Sequence, residues 1–350
     1  MAAFGAIDGH QPTAVRRRQL RDAAVDGVDA GGRSRTSRCH PVEPSARYDR
    51  PVDYAAPIVL AALADSAVGD PRRWHPVAGF GRGAAALERA WWAPSRLRGA
   101  CYAAVCVGFA AVAGAVLGRL GTVGTAVAVW IALGGKSLAA VGESMADALE
   151  AGDLEVAREL VPSLCGRDPA ALDEAGMCRA AVESIAENTS DAAVAPLLAA
   201  AVGGAPGVLA YRAINTLDAM VGYRTERYRE FGWAAARLDD AANYLPARLT
   251  GVLAALCGPR PRRAVAVWRR DAGSHPSPNA GVVEASFAGA LALSLGGTTV
   301  YRGHTEQRPV LGDGARPSVA DLRAAVRLSR RVRAAATVVA VGVAVLARRR

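Results

Sequence analysis

Long stretches without a charged side chain restrict this chain more than any other feature of its sequence. Residues 99–118 and 192–211 each contain twenty residues and no charge. Because a helix needs about 20 apolar residues to cross the hydrocarbon core of a bilayer, both stretches are candidate membrane spans. Shorter apolar runs, which fit spanning, buried or re-entrant helices, cover residues 54–64, 120–135, 285–301 and 334–347.

The pattern of these runs predicts an all-α, polytopic integral membrane protein with about four to six apolar helices. No strand-like alternation of any length interrupts them. The run 120–135 closely follows the run 99–118 and is expected to form a tight helical hairpin with it. Pro196, Pro206 and three glycines are expected to bend or break the run 192–211. Some of the helices should therefore be short or broken.

Composition agrees with a membrane protein and argues against two other classes. Hydrophobic residues make up 51% of the chain and charged residues only 21%, which is too apolar for an ordinary soluble enzyme. The net charge is +10, but Lys136 is the only lysine among the 42 basic residues. We attribute the preference for arginine over lysine to codon bias. We attribute the net positive charge to flanking and cytoplasmic residues of a membrane protein, and we expect no nucleic acid among the partners.

The distribution of charge divides the chain into five segments. Residues 1–53 are rich in arginine and have little apolar periodicity, so we expect a disordered extension there. Ordered-looking sequence begins at Tyr54, and a true translation start near Val52 is a hypothesis that fits this. The other segments are membrane helices at 54–135, an amphipathic cytoplasmic helical segment at 136–191, membrane helices with site-bearing loops at 192–333, and a C-terminal apolar helix with an arginine tail at 334–350.

Three carboxylates form a stripe along one predicted helix. Glu183, Glu187 and Asp191 are spaced i, i+4, i+8, which places them on one helix face. Like charges at this spacing repel, and the stripe leads directly into an apolar run, where burial without a counter-ion is costly. A divalent cation such as Mg²⁺, which prefers oxygen ligands, would offset that cost. A solvated helix face is the alternative interpretation.

A second polar group follows the run 192–211. Asn215 and Asp218 are spaced i, i+3 on a predicted helix, and Arg212 and Arg224 flank them. Carboxylate and amide oxygens beside guanidinium groups suit the binding of a phosphate together with its metal ion. Snorkelling of these side chains toward the membrane surface is the alternative.

A third group has the same character. Asp239, Asp240 and Asn243 share a helix face, and acidic helices at a membrane surface can bind a magnesium phosphate. The alternative is that these acids only complement the positive end of a helix dipole.

Two stiff loops present further polar side chains. The sequence HPSPNAG at 275–281 contains two prolines and a glycine, which predicts a non-helical loop, and DPRRWHP at 70–76 is similar. A rigid loop is suited to positioning a substrate, although a purely structural turn is the alternative. The side chains that these loops offer are His275, Ser277 and Asn279 in the first, and Arg72, Arg73 and His75 in the second.

Taken together and in this order, these segments resemble one family, the cobalamin biosynthesis membrane proteins called CobD or CbiB. The resemblance extends over roughly residues 54–330. The motifs that carry it are GDPRRWHPV at 69–77, LCGRD at 164–168, AAVESIAENTSDAAVAPL at 180–197, YRAINTLDAMVGYR at 211–224, RLDDAANYLPARL at 237–249, HPSPNAGVVEA at 275–285, YRG at 301–303 and RPVLG at 308–312.

The resemblance implies an enzyme that makes adenosylcobinamide phosphate in a multi-pass protein of the cytoplasmic membrane. Such an enzyme joins aminopropanol, or its O-phosphate, to a propionate carboxylate of adenosylcobyric acid through a new amide bond. A carboxylate is a poor acyl donor at neutral pH, so the chemistry implies activation by ATP with Mg²⁺ as cofactor. Its partners would then be these substrates, the lipid bilayer and other enzymes of the corrinoid pathway.

This chemistry suggests a role for each candidate residue. We expect metal binding by the carboxylates of Glu183, Glu187, Asp191, Asp218, Asp239 and Asp240. We expect catalytic roles for Glu187, Asp191, His275 and Asn279. We expect binding of substrate or phosphate by Arg72, Arg73, His75, Arg212, Asn215, Arg224 and Ser277.

Two other functions fit parts of the pattern. An aspartate-rich membrane transferase that acts on an activated phosphate substrate would use the same carboxylates and Mg²⁺. Its paired aspartate motifs are only loosely matched by Asn215–Asp218 and Asp239–Asp240. A corrinoid transporter would explain the broken apolar runs, although no internal repeat is visible in the sequence.

Overall fold

The computed structural model describes residues 53–70, 75–301 and 304–349. Most of these residues are helical, which confirms the prediction of a mainly helical protein. The predicted extension up to residue 52, and Arg72 and Arg73, lie outside the described residues. In chain order the described α-helices are α1 (Ala55–Ala67), α2 (Pro76–Trp91), α3 (Arg96–Gly118), α4 (Gly121–Ala132), α5 (Gly135–Glu150), α6 (Leu154–Leu160), α7 (Glu174–Thr189), α8 (Ala195–Val221), α9 (Trp233–Ala242), α10 (Tyr244–Cys257), α11 (Pro261–Asp271), α12 (Ala280–Leu291) and α13 (Val319–Arg348).

Three helical stretches are long and apolar enough to cross a membrane, namely Arg96–Gly118, Gly121–Glu150 and Glu174–Val221. The first is α3, whose 23 residues extend for about 34 Å and so exceed the hydrocarbon thickness of a bilayer. Shorter apolar helices are α1, α10 and α12. These helices indicate a membrane protein.

The third stretch reverses direction inside the molecule. Gly204 takes φ 56° and ψ −145°, which is outside the helical range, and α8 breaks there. The chain then returns along itself, since a Cβ atom on Gly207 would lie 2.9 Å from the carbonyl oxygen of Ala199. Farther back, the Tyr211 hydroxyl donates to the carbonyl oxygen of Asp191 at 3.0 Å. Two residues twenty positions apart therefore meet, which a straight helix excludes.

This segment is a re-entrant hairpin, with residues 192–203 as its outgoing arm and residues 205–221 as its returning arm. The candidate span 192–211 is therefore not one straight helix, and the expected break at its glycines and prolines is confirmed. The physical reason is that Gly204 tolerates a positive φ, and Pro206 follows two residues later. Counted from residue 192, the outgoing arm extends for about 18 Å and continues the helical path of α7.

The returning arm packs tightly against α3. Gly114 of α3 lies against the turn of the hairpin, because a Cβ atom there would lie 2.4 Å from the carbonyl oxygen of Ala205. Near the other end of α3, a Cβ atom on Gly99 would meet the carbonyl oxygen of Phe231 at 1.8 Å. The two glycines are about 22 Å apart along the helix. The absence of side chains at both positions allows the backbones to approach.

Two more elements fix the hairpin at its ends. The ring of Tyr54, just before α1, lies where a side chain on Gly204 would be. At the base of the hairpin, the backbone N–H of Gly134, between α4 and α5, donates to the carbonyl oxygen of Ala192 at 3.0 Å. The base and the turn of the hairpin are therefore both held by neighbouring segments.

Helix α7, which leads into the hairpin, is fixed by close packing. Its Ile185 side chain and Val326 of α13 occupy the space beside Gly142 of α5. One turn later the Thr189 hydroxyl donates a hydrogen bond to the Ser329 hydroxyl of α13 at 2.7 Å. The residues of α7 from Met177 to Ala186 are almost all buried, so the carboxylates near its end stand on a rigid support.

Two of the predicted segment boundaries fall inside continuous helical structure. Helix α7 passes through a π-helical turn at Ser190–Val194 into α8, and such turns are frequent at functional sites. Helix α13 runs without interruption from Val319 to Arg348, so the predicted C-terminal apolar helix is its second half.

A β-hairpin corrects the prediction that the chain contains no strands. Strand β1 (Leu295–Tyr301) pairs antiparallel with β2 (His304–Leu311). The apolar run 285–301 is therefore partly helix and partly strand. Its second part contains Gly296 and Gly297, both with positive φ, followed by the β-branched residues at 298–300. These residues disfavour a helix and favour an extended chain.

Candidate functional site

Carboxylates from three segments meet at the base of the re-entrant hairpin. The side-chain amide nitrogen of Asn215 on the returning arm donates to Asp191 Oδ2 at 3.3 Å and to Asp239 Oδ1 at 3.4 Å. One amide group therefore bridges two carboxylates that are 48 positions apart in the sequence. The sequence-predicted groups around Asp191, Asn215 and Asp239 thus form one site.

Tyr211 fixes this base. Its hydroxyl lies 2.8 Å from Asn243 Oδ1 and 3.0 Å from the backbone carbonyl of Asp191. Both Tyr211 and Asn243 are buried. The returning arm is therefore joined to the π-helical turn and to the end of α9 through side chains that water does not reach.

Three further acids surround the bridged pair. Asp218, one turn before the end of α8, is half-buried and is repelled by the charges of Asp239, Asp240 and Glu187. The side chain of Glu187 itself is exposed. We call Glu187, Asp191, Asp218, Asp239 and Asp240 the acidic cluster.

Electrostatics in the acidic cluster are unfavourable for further negative charge. Burial raises the pKa of Asp239, and the neighbouring charge of Asp240 raises it further, while the hydrogen bond from Asn215 acts in the opposite direction. Arg212 supplies positive charge near Asp191, and its Nη1 donates to Asn215 Oδ1 at 3.3 Å. Arg237 lies 3.7 Å from Asp240, and Arg308 is a charged neighbour of Glu187. These guanidinium groups are still fewer than the five carboxylates, so an excess of negative charge remains that a cation would relieve.

The arrangement fits a magnesium ion in its chemistry. Within the described residues, no three His, Cys, Asp or Glu side chains are grouped tightly enough to enclose a metal ion. Magnesium, however, is usually held by one or two carboxylates, with water and substrate phosphates completing its shell. The bridged pair Asp191 and Asp239 offers such ligands, and Glu187 and Asp218 lie beside it.

Glu183 does not join the acidic cluster. It forms a buried ion pair with Arg167, and its Oε1 accepts the backbone N–H of Gly296 at 2.7 Å. Arg308 from β2 approaches Glu183 at 3.6 Å and Glu284 from α12 at 3.4 Å. We call Arg167, Glu183, His275, Glu284 and Arg308 the buried ion cluster. The structure thus separates Glu183 from the metal-binding role predicted for it, because both of its oxygens already have partners.

His275 lies inside the buried ion cluster. Its Nε2 contacts the guanidinium of Arg308, and its Nδ1 lies 3.0 Å from the backbone nitrogen and 3.2 Å from the carbonyl oxygen of Ser277. Burial lowers the pKa of His275, and the charge of Arg308 lowers it further. A buried, neutral imidazole with both nitrogens occupied positions Arg308, and the catalytic role predicted for His275 stays a prediction.

The other residues of this loop hold helices in place. The Ser277 hydroxyl accepts the backbone N–H groups of Asn279 and Ala280 at 3.3 and 3.2 Å, and so caps α12. Asn279 is buried, accepts from Arg248 at 2.8 Å and donates to the carbonyl oxygen of Asp240 at 2.8 Å. Asn279 thereby positions the end of α9, where two members of the acidic cluster lie.

The remaining predicted residues lie around the site. His75 accepts the backbone N–H of Val77 at 3.2 Å and caps α2, and Asp70 and Arg212 are its charged neighbours. Burial lowers the pKa of His75. Arg224 is exposed in the turn that follows α8.

Glu187 connects the two clusters. Its nearest charges include Arg308 of the buried ion cluster on one side and Asp239 of the acidic cluster on the other. Sequence reasoning missed Arg167, Glu284 and Arg308, although all three lie in the motifs quoted above. The signal that marks them in the sequence is a charged residue next to apolar residues. Burying such a charge is costly, so a charge at such a position usually has a role.

Comparisons with known proteins agree with this arrangement. A family profile described as CobD/Cbib protein matches residues 58–329, which is more than half of the chain. The chain belongs to the CobD/CbiB family. The match contains all ten described members of the two clusters.

Individual relatives support the family assignment. The cobalamin biosynthesis protein CobD of Mycobacterium tuberculosis strain H37Rv is 56% identical over 296 residues, which are 82% of this chain and 95% of the relative. The protein of the same name from Chromobacterium violaceum is 47% identical over 78% of this chain and 91% of its own length. The one from Rhodobacter capsulatus is 43% identical over 84% and 99%. No solved structure matches the chain.

The family assignment makes this chain a cobalamin biosynthesis protein whose substrates are related to corrinoids. The residues that the family profile matches include both the re-entrant hairpin and the buried ion cluster.

Proposed function

We propose that this protein forms the amide bond between aminopropanol, or its O-phosphate, and a propionate carboxylate of adenosylcobyric acid. The single observation that carries the proposal is the convergence of five carboxylates with Asn215 and Arg212 at the base of the re-entrant hairpin. An excess of negative charge suits a reaction that brings together an ammonium group and a magnesium phosphate.

The chemistry assigns different tasks to different groups. In the first step the propionate takes the terminal phosphoryl group of ATP and ADP leaves; in the second the free amine attacks and inorganic phosphate leaves. The amine must first lose a proton, and an exposed carboxylate such as Glu187 is suited to accept it. Asp191 and Asp239 would hold Mg²⁺, which would neutralise phosphate charge during the transfer.

The phosphate groups need positive charge from nearby loops. We propose Arg72, Arg73 and Arg224 for that role. Arg224 follows α8 closely in the chain, and His75, which follows Arg72 and Arg73 in the sequence, has Arg212 as a charged neighbour. The guanidinium of an arginine can donate two parallel hydrogen bonds to a phosphate.

We also propose that the acidic cluster faces the cytoplasm. Arginines concentrate near the first residue of α3, whereas Arg119 follows its last residue. The segment after α8 packs against that same first turn, since Arg96 pairs with Glu230 at 2.8 Å. Cytoplasmic sides of membrane proteins carry the excess of arginine. This orientation would let ATP and the corrinoid reach the site in the cytoplasmic membrane.

The test uses membranes from cells that express the full chain, supplied with adenosylcobyric acid, aminopropanol phosphate, ATP and Mg²⁺, with the corrinoid followed by mass spectrometry. We expect the amide product, and we expect it to disappear with Glu187→Gln at unchanged membrane abundance. Glu155→Gln is the matched control, because Glu155 is an exposed carboxylate of α6 whose partner is Arg158. Unchanged corrinoid with either form of the amine would overturn the proposal.

Corrinoid transport is the competing function, because transporters also use broken helices at membrane depth. The re-entrant hairpin is the observation in its favour. Sealed vesicles that accumulate unmodified adenosylcobyric acid, with no amide product, would establish it in place of the ligase.

A further inference from the structure

An apolar groove lies beside the acidic cluster but outside it. The groove has a volume of about 680 Å³ and runs between α2, α3 and the returning arm of the hairpin. Its walls are almost entirely apolar and include Phe80, Leu87, Leu117 and Leu209. A volume of this size is typical of a ligand pocket in a protein.

One side of the groove is formed by the outer surface of α3. Val105 and Phe109 contribute to its wall, and both side chains are largely exposed, Phe109 to 67%. Because α3 is long and apolar enough to cross a membrane, these exposed side chains face lipid hydrocarbon. The groove is therefore open sideways to the bilayer.

The polar end of the groove is Arg212. Its Nη1 donates to Asn215, its Nε is buried, and other atoms of the side chain line the groove. A guanidinium in an otherwise apolar wall is suited to bind an anionic oxygen. Thr216, also at this end, already donates to the carbonyl oxygen of Arg212 at 2.7 Å.

We propose that this groove binds a membrane phospholipid, with an acyl chain along the apolar walls and the phosphate at Arg212. Three features of the structure favour this occupant: an apolar volume, a lateral opening to lipid, and the guanidinium of Arg212 in the groove wall. A corrinoid fits these walls poorly, because its many amide groups need hydrogen-bond partners that the walls lack. The proposal is independent of the amide-forming reaction.

Bound lipid would connect the bilayer to the site. Arg212 lines the groove, and its Nη1 donates to Asn215, which bridges Asp191 and Asp239. A phosphate bound to this guanidinium would fix its position, and with it the amide that positions the bridged carboxylates.

The test is native mass spectrometry of the full chain, purified in mild detergent, to detect phospholipid that remains bound. Gly83→Leu fills the groove, because Gly83 forms part of its wall and a Cβ atom there meets nothing within 4 Å. Gly108→Leu is the matched control, because Gly108 is on α3 outside the groove wall and is equally unobstructed. We expect loss of bound phospholipid in Gly83→Leu and retention in Gly108→Leu.

Arg212→Gln tests the phosphate contact separately. Loss of one charge-assisted hydrogen bond should weaken retention by about tenfold, measured by titrating phosphatidylglycerol into delipidated protein. Equal retention by the wild type and Gly83→Leu would overturn the proposal. So would a wild type that carries no phospholipid, or one whose bound molecule is a corrinoid or a lipid without phosphate. Thermal unfolding of each variant confirms that the protein is folded.

Discussion

The acidic cluster and the buried ion cluster are built from the same kinds of residues but are organised in opposite ways. In the buried ion cluster, Arg167 and Arg308 face Glu183 and Glu284, so positive and negative charges alternate. In the acidic cluster, five carboxylates have fewer counter-charges, namely Arg212 at Asp191, Arg237 at Asp240 and Arg308 near Glu187. The first arrangement neutralises itself, and the second does not.

This difference separates structural from chemical roles. Ions inside an apolar protein persist when they are paired, because an unpaired buried charge costs several kcal/mol. The buried ion cluster meets that requirement with its own residues and joins α7, α12 and the β-hairpin. The acidic cluster has more carboxylates than guanidinium groups and lies partly open to solvent, so we expect its substitution to change activity more than stability.

The largest expected effect is on stability, at the buried ion cluster. Arg167→Met removes the partner of a fully buried carboxylate and should lower the free energy of unfolding by about 3–5 kcal/mol. The measurement is denaturant unfolding of the purified protein in detergent. Arg158→Met is the matched control, because the exposed pair of Arg158 and Glu155 should contribute only about 0–1 kcal/mol.

The double variant Arg167→Met/Glu183→Gln sharpens this result. Removing the stranded charge as well should recover part of the lost stability, because an amide is less costly to bury than an isolated carboxylate. Equal stability of Arg167→Met and the wild type would show that charge pairing in the buried ion cluster does not stabilise the fold.

At the acidic cluster the expected effect moves from stability to activity. Asp191→Asn removes one of the two bridged carboxylates and should reduce the rate of amide formation by about a hundredfold, the lower end for a lost acid–base or metal-binding group. Its free energy of unfolding should not fall, because one of several mutually repelling charges is gone. A variant with wild-type activity, or one that loses stability instead, would contradict the comparison.

The sequence pointed to the residues of the acidic cluster, but not to the buried ion cluster or its pairing. Carboxylate spacing correctly placed Glu187 and Asp191 near each other, and the family resemblance brought Asp239 into the same group. The helical period also placed Glu183 on that stripe, yet Arg167 and the backbone of Gly296 engage it. Those partners come from distant segments, and no local pattern reveals them.

The fold shows the same limit. The apolar length of 192–211 predicts a span equally well whether the chain continues or reverses, and Gly204 only permits the reversal. The reversal depends on the close approach of Gly114 in α3 to the turn of the hairpin, and that approach exists only once α3 and α8 are packed together. Likewise, β1 lies in an apolar run whose extended conformation depends on pairing with β2.

A smaller effect is expected at Asn215, which positions two carboxylates of the acidic cluster without being one of them. Asn215→Ala removes the amide that bridges Asp191 and Asp239 and should reduce activity by about tenfold. Asn188→Ala is the control, because the amide of Asn188 bonds back to its own helix at Ser184, at 2.9 Å. A loss of activity as large in Asn188→Ala as in Asn215→Ala would show that the bridge has no special role.

The smallest effect concerns the pH dependence of stability. Since burial raises the pKa of Asp239 in the folded state, the folded chain holds this proton more tightly than the unfolded chain does. Stability contributed by this group is therefore present below the pKa of an unfolded aspartate, and is lost as pH rises through the higher folded value.

Asp239→Asn removes that loss, so the variant should be more stable than the wild type at neutral pH and should converge with it in acid. Thermal unfolding across this range, with the exposed Glu226→Gln as control, measures the difference. A variant less stable than the wild type at neutral pH would mean that Asp239 is already paired, as in the buried ion cluster.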